Sequence, residues 1–106
     1  MKDDIELLLN NILIIISKHL DLKKYRVFLF GSRATHKAHS RSDIDIGIEG
    51  NEPIPFDILS RIREEVDNLP TLYSIDIVDF KRVSREFYEF AMQNIKILND
   101  DKTGTP

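Results

Sequence analysis

Two aspartates separated by a single residue, Asp43 and Asp45, stand in the stretch SDIDIGIE from Ser42 to Glu49, where Ile44, Ile46 and Ile48 alternate with polar or small residues. In an extended strand, residues i and i+2 leave the same face, so both carboxylates project away from the isoleucines with Cα atoms about 6.6–7 Å apart. Carboxylates so spaced can converge on a hard divalent cation, and Mg²⁺ takes one or two carboxylates together with substrate phosphate oxygens. An edge strand with one solvated face would also tolerate them. Aspartate is depleted in strands, however, so two on one isoleucine-rich strand carry a local cost that a functional site explains.

Asp76 extends the pattern. In SIDIVDF, Ser74 to Phe80, Ile75 and Ile77 must face a core, which turns Asp76 and Val78 the other way. If this strand pairs with the Asp43/Asp45 strand, the third carboxylate joins the same face at a strand separation of about 4.8 Å. Upstream, Gly31-Ser32 leaves an apolar run directly into what reads as a short helical turn from Ser32 to about Lys37. Glycine there permits close backbone approach to a ligand, and N–H groups at a helix start suit phosphate oxygens. Carboxylates beside a phosphate loop form a layout for phosphoryl or nucleotidyl transfer. Arg33, Lys37, His39 and Arg41 crowd the same loop, and arginine above all can meet a polyphosphate through bidentate contact. Taken singly, each of these also reads as ordinary surface charge. His36 and His39 have no third partner in view, so a zinc site is not expected.

Elements of regular structure must hold these residues in place. Ile5, Leu8, Leu9, Ile12, Leu13, Ile16 and Leu20 recur at helical spacing and predict an amphipathic helix over residues 4–20. Leu7, Ile14 and Ile15 fall outside its main stripe. Either the helix is buried on more than one side, with a C-terminal helix bearing Phe87 and Phe90 covering the second, or it offers an apolar strip to another protein. RVFLF, residues 26–30, predicts a central strand. Pro53 and Pro55 mark a loop, Phe56, Leu59, Ile62, Arg63 and Val66 a second helix, and Ser84 the cap of a last helix with Phe87, Phe90, Ala91 and Ile95 on its stripe. The expected order is helix, strand, short helix, strand, helix, strand, helix. One domain over 1–99 is expected, with 100–106 as a flexible tail.

Composition narrows the classes. The 106 residues are 42% hydrophobic and 31% charged, with no cysteine, which removes disulfide scaffolds, cysteine zinc sites and thiol chemistry. A net charge of −3 is not the footprint of a chain that lives on phosphate backbones, so direct nucleic-acid binding is not expected. No segment has the apolar length of a membrane span and the N-terminus lacks the features of a signal peptide, which makes the cytoplasm the default expectation.

Gly31-Ser32, ten residues, then Asp43-Ile44-Asp45 resembles the G-S-x10-D-x-D pattern of the nucleotidyltransferases related to DNA polymerase β. The chain is similar over nearly its whole length to their shortest branch, the minimal nucleotidyltransferase (MNT) domain, with Ala34 in the loop, Ser42 before the aspartate pair and a later strand aspartate. The resemblance implies an α/β (α+β) fold: a small mixed sheet with helices packed on one face and an open catalytic face. It implies that Gly31, Ser32 and the adjacent Arg33 meet nucleotide phosphates, that Asp43, Asp45 and Asp76 hold Mg²⁺, two ions bridging the aspartates and the triphosphate, and that Asp76 helps to activate the acceptor. His36 departs from the family, which commonly has glycine at that position.

MNT domains resemble antitoxins paired with HEPN-domain toxins of RNase type. The resemblance implies an enzyme that moves AMP from ATP onto a tyrosine of such a partner. Two other classes remain: a binding module that neutralises its partner by contact alone, and a transferase for a small molecule such as an aminoglycoside, for which the chain is short. Larger relatives carry a further domain to grip base and acceptor. Here that grip is expected from a partner or from a second copy in a homodimer, with the first helix contributing to the interface.

Overall fold

The structure is a computed structural model that describes residues 2–31 and 43–99. Its elements are α1 (Lys2–Ser17), β1 (Arg26–Phe30), β2 (Ile44–Glu49), α2 (Phe56–Asp67), β3 (Ile75–Asp79), α3 (Arg85–Ala91) and β4 (Lys96–Ile97). The expected helical turn at 32–37 and the expected tail at 100–106 lie outside the described residues. The strands form one mixed sheet in the order β3-β2-β1-β4, with β1 antiparallel to β2 and β4 and with β2 parallel to β3. α2 supplies the crossover that a parallel pair demands.

Alternation sorts the strands into two faces. Val27, Leu29, Ile44, Ile46, Ile48 and Ile77 turn to the side covered by α1 and α2, where they meet Leu8, Ile12, Ile15, Ile16, Leu59, Ile62 and Val66 in the main core. Ile15 is therefore a core residue, contrary to its expected place outside the helical stripe: it follows Leu8 by seven residues and Ile12 by three, on the same arc of α1. Leu7 and Ile14 do stand outside, 61% and 59% exposed. The idea that another helix wraps them is corrected, because α3 packs on the opposite side of the sheet.

On that opposite side Phe28, Phe30, Phe80 and Ala91 form a second cluster, flanked by Val78, Tyr88, Met92 and Ile97. Gly47 makes the cluster possible: a Cβ there would lie 2.4 Å from the Phe28 ring and 2.7 Å from that of Phe80. Without it, the two rings cross edge-to-face above the strand with centroids 4.9 Å apart. α3 thus covers part of this face, and among the described residues Asp76 stays exposed on it. α3 is shorter than its apolar stripe suggested. Ser84 caps it as expected, accepting from the Phe87 N–H at 3.1 Å, but it ends at Ala91, leaves Phe90 74% exposed and excludes Ile95.

The chain then forms β4, a strand with no counterpart in the expected order, whose two residues pair with Phe28 and Leu29. Asn99 secures it, accepting from the Val27 N–H and donating to the carbonyls of Leu22 and Tyr25. At the other edge of the sheet, the Arg63 guanidinium of α2 donates twice to the Ile77 carbonyl, at 2.8 and 3.1 Å. Among the described residues no helix is long and apolar enough to cross a membrane.

Candidate active site

The open part of the sheet carries a row of three register partners, Phe30, Asp45 and Asp76, on β1, β2 and β3. The conditional placement of Asp76 thus holds, because β3 does pair with β2, and in the register that sets Asp76 beside Asp45. Asp43 is exposed one residue before β2, two positions from Asp45, where the Ile44 N–H already bonds the Ser74 carbonyl at 2.8 Å and ties this entry to the approach of β3. Asp43 and Asp76 are exposed and Asp45 is half-buried between them and Phe30.

Burial pushes the Asp45 carboxyl above its ordinary range, and the charges of Asp76 and then Asp43 push the same way. The three carboxylates therefore act on one another electrically, and the middle one has the least water to relieve it. Gly31 closes the group from the β1 side. Its φ of +76° lies in the left-handed region, and a Cβ there would sit 2.6 Å from Asp45 Oδ2. Glycine is required at this position on both counts. Ser32, Arg33 and His36, with the other loop residues expected near phosphate, lie outside the described residues.

The donor set fits a hard divalent cation: oxygen ligands, mutual repulsion that a cation would relieve, and a side-chain-free approach at Gly31. Among the described residues no three histidine, cysteine, aspartate or glutamate side chains already converge into a metal cage.

One member of the row was not anticipated. Phe30 lies beside Asp45, and the alternation of RVFLF, with Phe28 and Phe30 opposite Val27 and Leu29, was the available signal. A different carboxylate, Asp79, is buried but structural: it accepts from the N–H groups of Ile54 and Lys81 and pairs with Arg82, whose guanidinium also covers the Phe56 ring.

A mixed sheet that carries aspartates on neighbouring strands beside a glycine turn has the layout of a nucleotidyl-transfer site. Residues 10–103 match the family model described as Polymerase beta, Nucleotidyltransferase, and the chain belongs to that family. A probable protein adenylyltransferase, MntA of Haemophilus influenzae, is 30% identical over 76 residues, covering 72% of this chain and 67% of that protein. A solved toxin–antitoxin structure with AMP-PNP superposes with a TM-score of 0.62 at 19% identity, covering 90% of this chain and 76% of the matched one. Another, a tri-AMPylated Shewanella oneidensis HEPN toxin in complex with MNT antitoxin, gives 0.59 at 17% identity over 93% and 76%. At these identities the structural likeness establishes the fold.

Proposed function

We propose that this protein is an antitoxin-type adenylyltransferase that moves AMP from ATP to a tyrosine hydroxyl of a HEPN-type toxin partner. The observation that supports this is the register that sets Asp76 beside Asp45 on one sheet face, with Gly31 against Asp45 and Asp43 two residues before it, in a member of a nucleotidyltransferase family. The kinship with a probable protein adenylyltransferase supports the choice of AMP, and the likeness to HEPN toxin–MNT antitoxin complexes supports the choice of partner.

Asp43, Asp45 and Asp76 would hold Mg²⁺, which when bound neutralises phosphate charge and makes the attacking hydroxyl more acidic. Gly31 brings the end of β1 against Asp45 without a side chain, and Ser32 and Arg33, which follow it in the chain, would meet phosphate oxygens. Asp76, at the exposed edge of the row, accepts the proton of the incoming hydroxyl as its oxygen bonds to the α-phosphorus and pyrophosphate departs. Catalysis of this kind is mostly positioning and charge neutralisation, which a small sheet can supply. The test is incubation with α-labelled ATP and Mg²⁺, with and without the co-produced HEPN partner. Label on the partner, absent in a partner lacking the acceptor tyrosine, is expected. Neutralisation of the toxin without label would mean inhibition by contact.

A further inference from the structure

The carboxylate row meets an aromatic wall. Phe30, the register partner of Asp45, is itself only 7% exposed, because Phe80 and Phe87 lie edge-to-face on it with centroids at 5.0 and 5.9 Å. Phe87 is the outermost of the three. It is 39% exposed, it also touches Phe80 at 5.8 Å, and the Ser84 cap fixes its backbone in the first turn of α3. The ring is therefore held by two other rings while part of its surface stays exposed.

The packing of the fold does not require that exposed surface. Phe28 and Phe80 are buried, and the exposed Phe56 ring lies under the Arg82 guanidinium at 3.9 Å. Phe87 joins the cluster that touches the carboxylate row to solvent on that side of the sheet. A pre-set ring at the edge of a polyphosphate site is a stacking platform: a flat heteroaromatic base gains from it without needing hydrogen-bonded readout. We propose that Phe87 carries the nucleobase of the bound nucleoside triphosphate, with the triphosphate beside Gly31 and Asp45. This rests on the nucleotidyl-transfer function proposed above. Because stacking grows with ring area, purine nucleotides bind more tightly than pyrimidine ones, with little distinction between adenine and guanine.

The experiment is calorimetric titration of the full chain, in Mg²⁺, with AMP-PNP and separately with inorganic tripolyphosphate, which has no base. Phe87→Leu keeps apolar bulk and the helix but removes the aromatic face, and Phe87→Trp enlarges it. Phe87→Leu is expected to weaken AMP-PNP about tenfold and to leave tripolyphosphate unchanged, while Phe87→Trp matches or exceeds the wild type. Equal AMP-PNP affinity in Phe87→Leu and wild type, or an equal loss for both ligands, overturns the assignment. Lost transfer with AMP-PNP affinity intact puts the ring on the acceptor side and overturns it too. A wild-type protein that binds neither ligand defeats the nucleotidyl-transfer function itself, and this assignment falls with it.

Discussion

Asp45 and Asp76 are direct partners across the parallel β2–β3 pair, and the α-carbon of Gly31 overhangs the Asp45 carboxylate so closely that no side chain fits between them. In the function proposed above, activity and stability are opposed at that point. The charge of Asp45 is unfavourable to the folded state, because its raised pKa means that folding disfavours the ionised form.

Asp45→Asn is accordingly expected to reduce nucleotidyl transfer at least about 100-fold while the thermal midpoint at neutral pH stays level or rises. Asp43→Asn should match it in activity, with a smaller effect on the midpoint, since Asp43 is exposed. Transfer assays beside thermal melts of both variants check this. Wild-type rates in either variant would remove that residue from the site.

Gly31→Ala should harm both properties. The left-handed φ of +76° costs an alanine about 1 kcal/mol, and the new methyl must displace the Asp45 carboxylate. Chemical denaturation should show the first effect. The second should appear as transfer lost well beyond what the remaining folded fraction accounts for.

The two sides of α1 should respond oppositely. Leu7→Lys and Ile14→Lys replace exposed side chains and should change stability by no more than about 0.5 kcal/mol. Ile12→Ala empties a position that is 0% exposed and should cost about 2–5 kcal/mol. Urea midpoints of the three variants decide it.

Acid should loosen the far end of the sheet through Glu49. Burial alone would raise its pKa, but hydrogen bonds from Tyr88 and Arg26, with the charges of Arg26 and Lys81, lower it overall. A lowered folded pKa gives stability that is complete above the ordinary glutamate value of about 4.3 and is lost as the pH falls through the folded one. Tyr88 shifts upward, first through its bond to Glu49, so its contribution holds below the ordinary tyrosine range and fades as the pH rises through the folded value. Tyr88→Phe should therefore flatten both limbs of the stability–pH curve measured by denaturant unfolding.

The carboxylate face was legible because a period of two is self-announcing: Ile44, Ile46 and Ile48 leave Asp43 and Asp45 no other side. Asp76 was legible only through an assumed pairing, which local pattern cannot supply. β4 was not legible at all. Lys96 and Ile97 form a strand because Phe28 and Leu29 offer an edge and Asn99 fastens the end, and two residues carry no periodicity of their own. Ile15 was misplaced because the buried arc of α1 is wider than one narrow stripe. Phe90 was misplaced because Ala91, Tyr88 and Met92, rather than the largest ring, turn toward the sheet.

Arg63 has a consequence for how another chain can approach. β3 is an outer strand, and an outer strand normally offers its backbone to a stranger's. Two guanidinium N–H groups of Arg63 already occupy the Ile77 carbonyl, one residue beyond Asp76, and an added strand would have to displace them. For the protein acceptor proposed above, extension of the sheet at this edge is thereby disfavoured. Approach from above the sheet face leaves that contact intact, and an acceptor that comes this way is recognised by its surface shape rather than by its backbone.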